Sequence, residues 1–379
     1  MLPFFDQDHF SLRTQVGQWS EKNILSRGAE NQDIDKQARW LVRRLGDQGF
    51  LARTVPKRFG GAREKVQARD LCVIREELAR GSALADAMFA IQALGSRPIM
   101  IFGTEEQKKL YLPRIAKGTA IAAFALTEPE AGSDVAALQT RAVLRGKEYC
   151  LTGTKQFISN AGIADSYVVF AATEPEKKGK GISAFLVDAH TPGLIVKQRT
   201  QVISPHPIGV IAFENCVIAE SSLLGTEGEG LKIAFETLDP LRCTVGAAAV
   251  GLAQRALDEA LDYGSKRRQF DRALTEFQGT QFKLADMATE LEAARLLVYQ
   301  AAWSHDYGAS DAKVKSSMAK LFATEAAQRI VDQALQIHGG AGLVAGSIME
   351  RLYRDVRALR IYEGTSEIQK IVIARELLK

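Results

Sequence analysis

The runs Ser166-Tyr167-Val168-Val169-Phe170-Ala171-Ala172 and Ile182-Ser183-Ala184-Phe185-Leu186-Val187 decide the fold. Both are short, rich in β-branched and aromatic residues, and bounded by Gly, Pro and charged turns, as strands are. A period of two puts Ile182, Ala184 and Leu186 on one face and Phe185 and Val187 on the other. Val210 to Ile218 repeats the pattern. Residues from about 123 to 230 therefore read as a small β domain in a chain that is otherwise helical.

Toward the N-terminus, Asp6 to about Gly118 carries helical spacing, with Arg69 to Ala79 followed by a stop at Gly81. Thr104-Glu105-Glu106-Gln107 reads as an N-cap and capping box before Lys108 to Ile115. Toward the C-terminus, Leu284, Met287, Leu291, Ala294 and Val298 step by three and four along one helix, and Val314, Met318, Leu321, Ile330, Ala334 and Ile337 along another. Long helices with short loops suggest an antiparallel bundle. The expected fold is mostly α with a central β domain: 1–122 helical, 123–230 β, 231–379 helical bundle. Sites are expected at the junctions, where concave surfaces form between layers.

The 379 residues carry 49 Lys plus Arg against 45 Asp plus Glu, a net +4 spread along the chain. No basic face marks a nucleic-acid partner; Lys266-Arg267-Arg268 suffices only for a single phosphate group. Cys72, Cys150, Cys216 and Cys243 form no C-x-x-C pair and suit reduced thiols, and the five histidines show no zinc spacing. Acidic residues come too early in MLPFFDQDHF for a leader, and no apolar run nears the roughly 20 residues of a membrane span, so a soluble cytoplasmic protein is expected.

Five segments could carry chemistry. Leu126-Thr127-Glu128-Pro129-Glu130-Ala131-Gly132-Ser133-Asp134 is a turn offering hydroxyls and free backbone N–H groups to a ring edge or a thioester, or else a capped boundary loop. Lys155-Gln156-Phe157-Ile158-Ser159-Asn160 sets an apolar ring and a hydroxyl two residues apart, or is an ordinary strand end. Gln336-Ile337-His338-Gly339-Gly340-Ala341-Gly342 looks like a dinucleotide fingerprint but follows a helix, not a strand, so a Rossmann fold is excluded while a phosphate contact stays open. His338 reads as a packed helix-end histidine. Asp239-Pro240 sets Pro240 in the first turn of a helix, with Arg242 held by an anion or a structural ion pair. In Ile361-Tyr362-Glu363-Gly364-Thr365-Ser366-Glu367, a carboxylate between apolar neighbours has the raised pKa that suits a base, or is an ordinary loop residue beside a glycine, while Thr365-Ser366 can cap the next helix.

In this order, FGTEEQKKLYLP from Phe102, LTEPEAGSD from Leu126, QFISN from Gln156, RRQF from Arg267, QIHGGAG from Gln336 and IYEGTSEIQ from Ile361 resemble the acyl-CoA dehydrogenase family over essentially the whole chain. The resemblance implies a helical N-terminal domain, a central β-barrel and a C-terminal four-helix bundle, assembled as a homotetramer with one FAD per subunit. It implies that Phe124, Leu126 and Thr127 contact the flavin ring, with Ser133 near the thioester. Phe157 stands where many members have Trp, and Ser159, near the flavin N5, where many have Thr. Arg267, Gln269, Phe270 and Gln278 match the stretch holding the FAD pyrophosphate and adenine from a neighbouring subunit, and Gln336, Gly339 and Gly340 the other part of that site. Thr365 and Glu367 also reach the cofactor, while Asp239, Arg242, Tyr362 and Gly364 lie on the substrate side.

Glu363 is then the base that takes the α-proton of an acyl-CoA while hydride leaves the β-carbon for FAD; its backbone N–H and a flavin ribityl hydroxyl are the expected donors to the enolate. Some relatives place the base before the matching arginine, where this chain has Leu241, which cannot accept a proton. Two departures stand out: Asp271 replaces the usual glycine, an acid beside the expected diphosphate contact that either points to solvent or pairs with Arg268, and Val202 to Ile208 lacks the usual Arg- and Ser-rich pattern. The expected electron acceptor is an electron-transfer flavoprotein. The alternatives are a flavin oxidase or dehydrogenase acting on a carrier-protein-bound acyl group, and a non-catalytic flavoprotein on the same scaffold. Arg97, near the stretch from Ala85 to Gly95 expected to line the acyl pocket, reads as a surface residue or a partner for an acidic substrate end.

Overall fold

The structure, a computed structural model, describes residues 4–24 and 33–379; the first three residues of the opening stretch lie outside them. Helices α1 (Gln7–Asn23), α2 (Ile34–Asp47), α3 (Ala68–Gly81), α4 (Ala83–Phe102) and α5 (Glu105–Ala116) come first. Thr104 caps α5 reciprocally: its hydroxyl accepts from the Gln107 N–H at 3.2 Å, and the Gln107 side chain accepts from the Thr104 N–H at 2.9 Å. Strands β1 (Ala122–Ala125), β2 (Arg141–Arg145), β3 (Glu148–Ser159), β4 (Ser166–Ala172), β5 (Ile182–Asp188), β6 (Leu194–Arg199), β7 (Ile208–Ala219) and β8 (Leu223–Leu224) follow. The rest is α6 (Gly230–Lys266), a hairpin of β9 (Arg268–Gln269) and β10 (Arg272–Ala273), then α7 (Gln278–Asp306), α8 (Ala312–His338), α9 (Ile348–Ala358) and α10 (Ser366–Leu377). None of the described helices is long and apolar enough to cross a membrane.

The central strands hydrogen-bond in the order β6-β7-β3-β2-β4-β5-β8, with β1 parallel to β4. Strands β4 and β5 pair without interruption from Ser166 opposite Asp188 to Ala172 opposite Ile182. Ile182, Ala184 and Leu186 enter one core with Val168, Phe170, Phe59, Ile99 and Leu112. On the other face Phe185 meets Tyr149 with ring centroids 4.9 Å apart. Burying both faces of a strand contributes about 1.5–3 kcal/mol for each large apolar side chain, in keeping with a run that carries no charge before Asp188. The β3–β7 register slips between Lys155 and Ile158, and within the slip Phe157 takes a left-handed φ of 56°. Such bulges re-aim side chains.

The chain divides into two compact units, one of Met1–Asn31, Gln67–Asp86 and Asp239–Lys379, the other of Gln32–Val66 and Ala87–Leu238. In the first, α3 joins the long helices of the C-terminal region, and the buried Tyr299 hydroxyl on α7 donates to Glu76 on α3 at 2.5 Å. The α7 stripe is buried at Met287, Leu291, Ala294 and Val298. On α8 the period holds but the phase shifts. Val314, Met318, Leu321 and Ile337 are only half-buried, whereas Ser316, Ser317, Ala319, Lys320, Ala323, Ala327 and Val331 face inward with Ile330 and Ala334. Small residues let α8 pack closely, so bulk there does not mark the core.

Pro240 departs from expectation more sharply, since it lies in the interior of α6 and not in its first turn. A mid-helix proline cannot donate to the carbonyl four residues back. That carbonyl, on Glu236, instead accepts from Arg97 Nε at 3.2 Å, so the half-buried Arg97 satisfies the helix.

Candidate active site

Between α9 and α10 the chain makes a tight turn. The N–H groups of Ile361 and Tyr362 both donate to the Ala358 carbonyl, at 2.9 and 3.2 Å, and the Ser366 N–H donates to Arg360 at 3.1 Å. Thr365 caps α10 by accepting from the Ile368 N–H at 3.3 Å. To close the turn, Glu363 adopts φ 54° and Gly364 φ 92°. A side chain on Gly364 would bring a Cβ within 2.6 Å of Gln369 Nε2. For Glu363 the left-handed backbone costs about 1–2 kcal/mol, strain of the kind that collects at functional positions. Glu363 Oε2 is shielded from solvent and has no hydrogen-bond partner.

Burial drives the Glu363 carboxyl above its ordinary range; Arg75, Lys320 and Arg242 pull it back, while Asp86 adds to the rise. Lys320, on the inward face of α8 and 1% exposed, donates from Nζ to the Gly364 carbonyl, which also accepts from Gln369 Nε2 at 2.9 Å. Desolvation lowers the Lys320 ammonium to about 8, against the attraction of Glu363. Arg75, on α3, forms a two-pronged pair with Asp86 at 2.7 and 2.9 Å and donates to the Thr244 hydroxyl at 2.9 Å. Tyr362 is 38% exposed as a residue, yet desolvation of its phenol raises it above the ordinary range, with Arg75 opposing. Arg242 is buried, pairs with Asp239 at 2.8 Å and lies 3.4 Å from the Ser317 hydroxyl, leaving its Nε unpartnered. Asp239 also pairs with Lys313 at 3.1 Å. A carboxylate is thus held among three cations without a direct partner, an arrangement suited to taking a proton.

Sequence reading brought Asp239, Arg242, Tyr362, Glu363 and Gly364 forward but missed Lys320, Arg75 and Asp86. One signal for Lys320 was available: a lysine in phase with Ser317, Ala323 and Ala327 on a helix face of small residues marks a buried charge.

In the other unit, Lys155 is fully buried and ties two of the segments together. Its ammonium donates to the Leu126 carbonyl at 3.1 Å and to Glu128 at 2.7 Å, and Glu128 in turn accepts the N–H groups of Gln139 and Thr140. Burial lowers Lys155 to about 8, opposed by Glu128; the Glu128 carboxyl, which burial would raise, is held low by Lys155 and the backbone donors. The Gln156 N–H donates to the Thr127 carbonyl at 2.9 Å, so Thr127 and the Phe157–Ser159 strand end are neighbours. Leu126 is buried, Phe124 packs on Phe170 at 4.9 Å, Ser133 is exposed, and Phe157 is 53% exposed. Ser159 Oγ lies 3.1 Å from His206 Nε2.

Arg267, Gln269, Phe270, Gln278, Gln336, Gly339, Gly340 and Glu367 are all exposed. Next to these segments, the ends of α6 and α8 touch: Tyr263 stacks on His338 at 4.4 Å and a Cβ on Gly264 would touch Thr275 and Ile337. His338 is buried and its Nδ1 lies 2.8 Å from the Ala334 carbonyl, a packing role as expected. Phe270 and Asp271 have left-handed φ of 52° and 59°, the conformation that favours the glycine usual at 271; Arg268 donates to the Asp271 backbone carbonyl, not to its carboxylate. All four cysteines are free and buried, and Cys72 Sγ lies 3.9 Å from Cys243 Sγ.

Against known proteins, the chain matches the N-terminal, middle and C-terminal domains of acyl-CoA dehydrogenase over residues 6–119, 123–216 and 228–378. It is 40% identical to an acyl-CoA dehydrogenase of Bacillus subtilis (strain 168) over 98% of each chain. It is 42% identical to a 3-(aryl)acrylate reductase of Clostridium sporogenes (strain ATCC 15579), over 99% of this chain and 100% of that one. Its fold superposes on butyryl-CoA dehydrogenase from Megasphaera elsdenii with a TM-score of 0.92, at 33% identity and 99% coverage of both.

Proposed function

The chain belongs to the acyl-CoA dehydrogenase family of FAD-dependent oxidoreductases, and from that premise we propose that it desaturates an acyl-CoA thioester to the trans-2-enoyl-CoA, with Glu363 as the base. The observation that carries this reading is the Glu363 carboxylate, strained in backbone, shielded at Oε2 and unpartnered among Arg75, Lys320 and Arg242. An α-proton beside a thioester is weakly acidic, and a carboxylate with a raised pKa is better matched to it than an exposed one. The Glu363 N–H is the proposed donor to the developing enolate oxygen, and Asp239, Arg242, Tyr362 and Gly364 form the substrate side.

The residues present also fit a flavin. Phe157 exposes an apolar ring from a strained bulge, Phe270 is 89% exposed, and open space surrounds Gly339 and Gly340. FAD, when bound, supplies the acceptor for the hydride leaving the β-carbon. We assign its ring to Phe124, Leu126, Thr127, Ser133, Phe157 and Ser159, and its diphosphate and adenine to Arg267, Gln269, Phe270, Gln278, Gln336, Gly339 and Gly340 of a neighbouring subunit, with Thr365 and Glu367 nearby. This assignment requires a homo-oligomer, and the tetramer is the proposed form. The chain works in the cytoplasm on this reading, with an electron-transfer flavoprotein as acceptor. The acrylate reductase relative supports a second reading, the same site run toward reduction of an unsaturated acyl group.

The test is anaerobic addition of a panel of acyl-CoAs to the yellow protein. Bleaching is expected with at least one saturated thioester, and Glu363→Gln should retain FAD without bleaching. A variant that bleaches at the normal rate overturns the base assignment; bleaching of neither form, with re-oxidation by enoyl-CoA after chemical reduction, favours the reductase reading.

A further inference from the structure

Val202 to Ile208, which departs from the family pattern, is anchored beside Ser159. Ile208 opens β7 directly opposite Ser159 in the β3–β7 register, and the Asn160 N–H donates to the Pro207 carbonyl at 2.7 Å. Pro205 and Pro207 restrict the backbone on both sides of His206. The imidazole consequently sits against the Ser159 hydroxyl, with Nε2 at 3.1 Å from Oγ and Nδ1 at 3.0 Å from the Ser204 carbonyl.

The direction of these bonds follows from elementary chemistry. A carbonyl oxygen only accepts, so Nδ1 carries a proton; in the neutral ring Nε2 is then an acceptor, and the hydrogen bond runs from the Ser159 hydroxyl to it. Burial pulls His206 below its ordinary range, with the Ser204 carbonyl opposing, which keeps the ring neutral. The Ser159 proton is therefore committed, and its oxygen has only lone pairs left for a ligand. On the flavin reading of this site, on which the inference rests, the nearby ring nitrogen N5 accepts a hydrogen bond when oxidised and donates one when reduced.

We propose that His206 is a positioning residue: by taking the Ser159 proton it makes the Ser159 oxygen an acceptor-only group, which favours the reduced flavin over the oxidised one. A serine without this histidine could rotate its proton to serve either state; the pair removes that freedom. The consequence is a bound flavin that draws electrons from substrate more strongly than the hydroxyl alone would allow.

The experiment is potentiometry of the FAD-loaded protein, wild type against His206→Leu, Ser159→Ala and the double variant. Each single change should lower the reduced-over-oxidised preference about five- to tenfold, the worth of one neutral hydrogen bond, or about 20–30 mV for a two-electron couple. The double should match the singles, and His206→Gln, which keeps an acceptor, should recover part of the shift. Nitrogen-15 spectra of wild-type histidines should show His206 protonated at Nδ1, a readout that survives even if His206→Leu fails to fold. An unchanged potential in His206→Leu, additive shifts in the double, or an Nε2-protonated ring overturns the proposal while leaving the flavin reading intact. Failure of the wild type to take up FAD overturns both.

Discussion

Lys320 and Gly364 are joined by a hydrogen bond from a buried ammonium to the carbonyl that follows Glu363 in the chain. The bond holds the peptide whose conformation sets the Glu363 side chain, and the charge lies close enough to Glu363 to lower its pKa. One lysine thereby fixes both where the proposed base stands and how readily it ionises.

Lys320→Met removes one of the cations that oppose the rise in the Glu363 pKa. The carboxylate then stays protonated to higher pH, so the acid limb of the bleaching rate should move upward, and Lys320→Arg should move it back. The pH dependence of single-turnover flavin reduction measures this; a limb unmoved in Lys320→Met would mean that the lysine is merely structural.

Glu363→Gln should gain stability in a pH-dependent way. The Glu363 pKa is raised in the fold above the ordinary 4.5, so the folded state binds more protons than the unfolded one, and the wild type loses stability as pH rises from 4.5 through the raised value. Glutamine carries no such penalty. The unfolding free energies, from denaturant titration at each pH, should be close at acid pH and diverge toward neutrality, by an amount on the order of 1–3 kcal/mol for a shielded, unsatisfied group. A constant gap from pH 4.5 to 8 would falsify the burial argument.

Lys155 and Glu128 should behave as a coupled buried pair. Lys155→Met alone strands Glu128 and is expected to cost about 3–5 kcal/mol and loosen FAD. Adding Glu128→Gln should recover most of the stability, because neither charge is then left alone. Denaturant titration of the four proteins gives the coupling directly, and strictly additive losses would show that the two groups act separately.

Much of this architecture could be read from local pattern. The strands at 166–172 and 182–188, the Thr104 and Thr365 caps and the end of α8 at His338 depend on neighbours a few residues away, and so appeared in the sequence. The Glu363 turn was legible through its place in an ordered set of motifs. What surrounds Glu363 was not, since Arg75 meets Thr244 across 169 positions and Lys320 meets Gly364 across 44, distances that no periodicity spans. Pro240 misled because proline is allowed in the first helical turn, and its interior place depends on Arg97, far away in the chain. The inward face of α8 misled because small residues and a lysine occupy it where bulk was expected.

The left-handed backbone at Glu363 has an evolutionary consequence. Glycine is the residue most at ease in that conformation, and it would also remove the shielded carboxylate, so the change that most relaxes this turn is the one that erases its chemistry. Drift left to stability alone would carry position 363 toward glycine. On the proposed role of Glu363, selection for turnover is what keeps glutamate at this position against that drift.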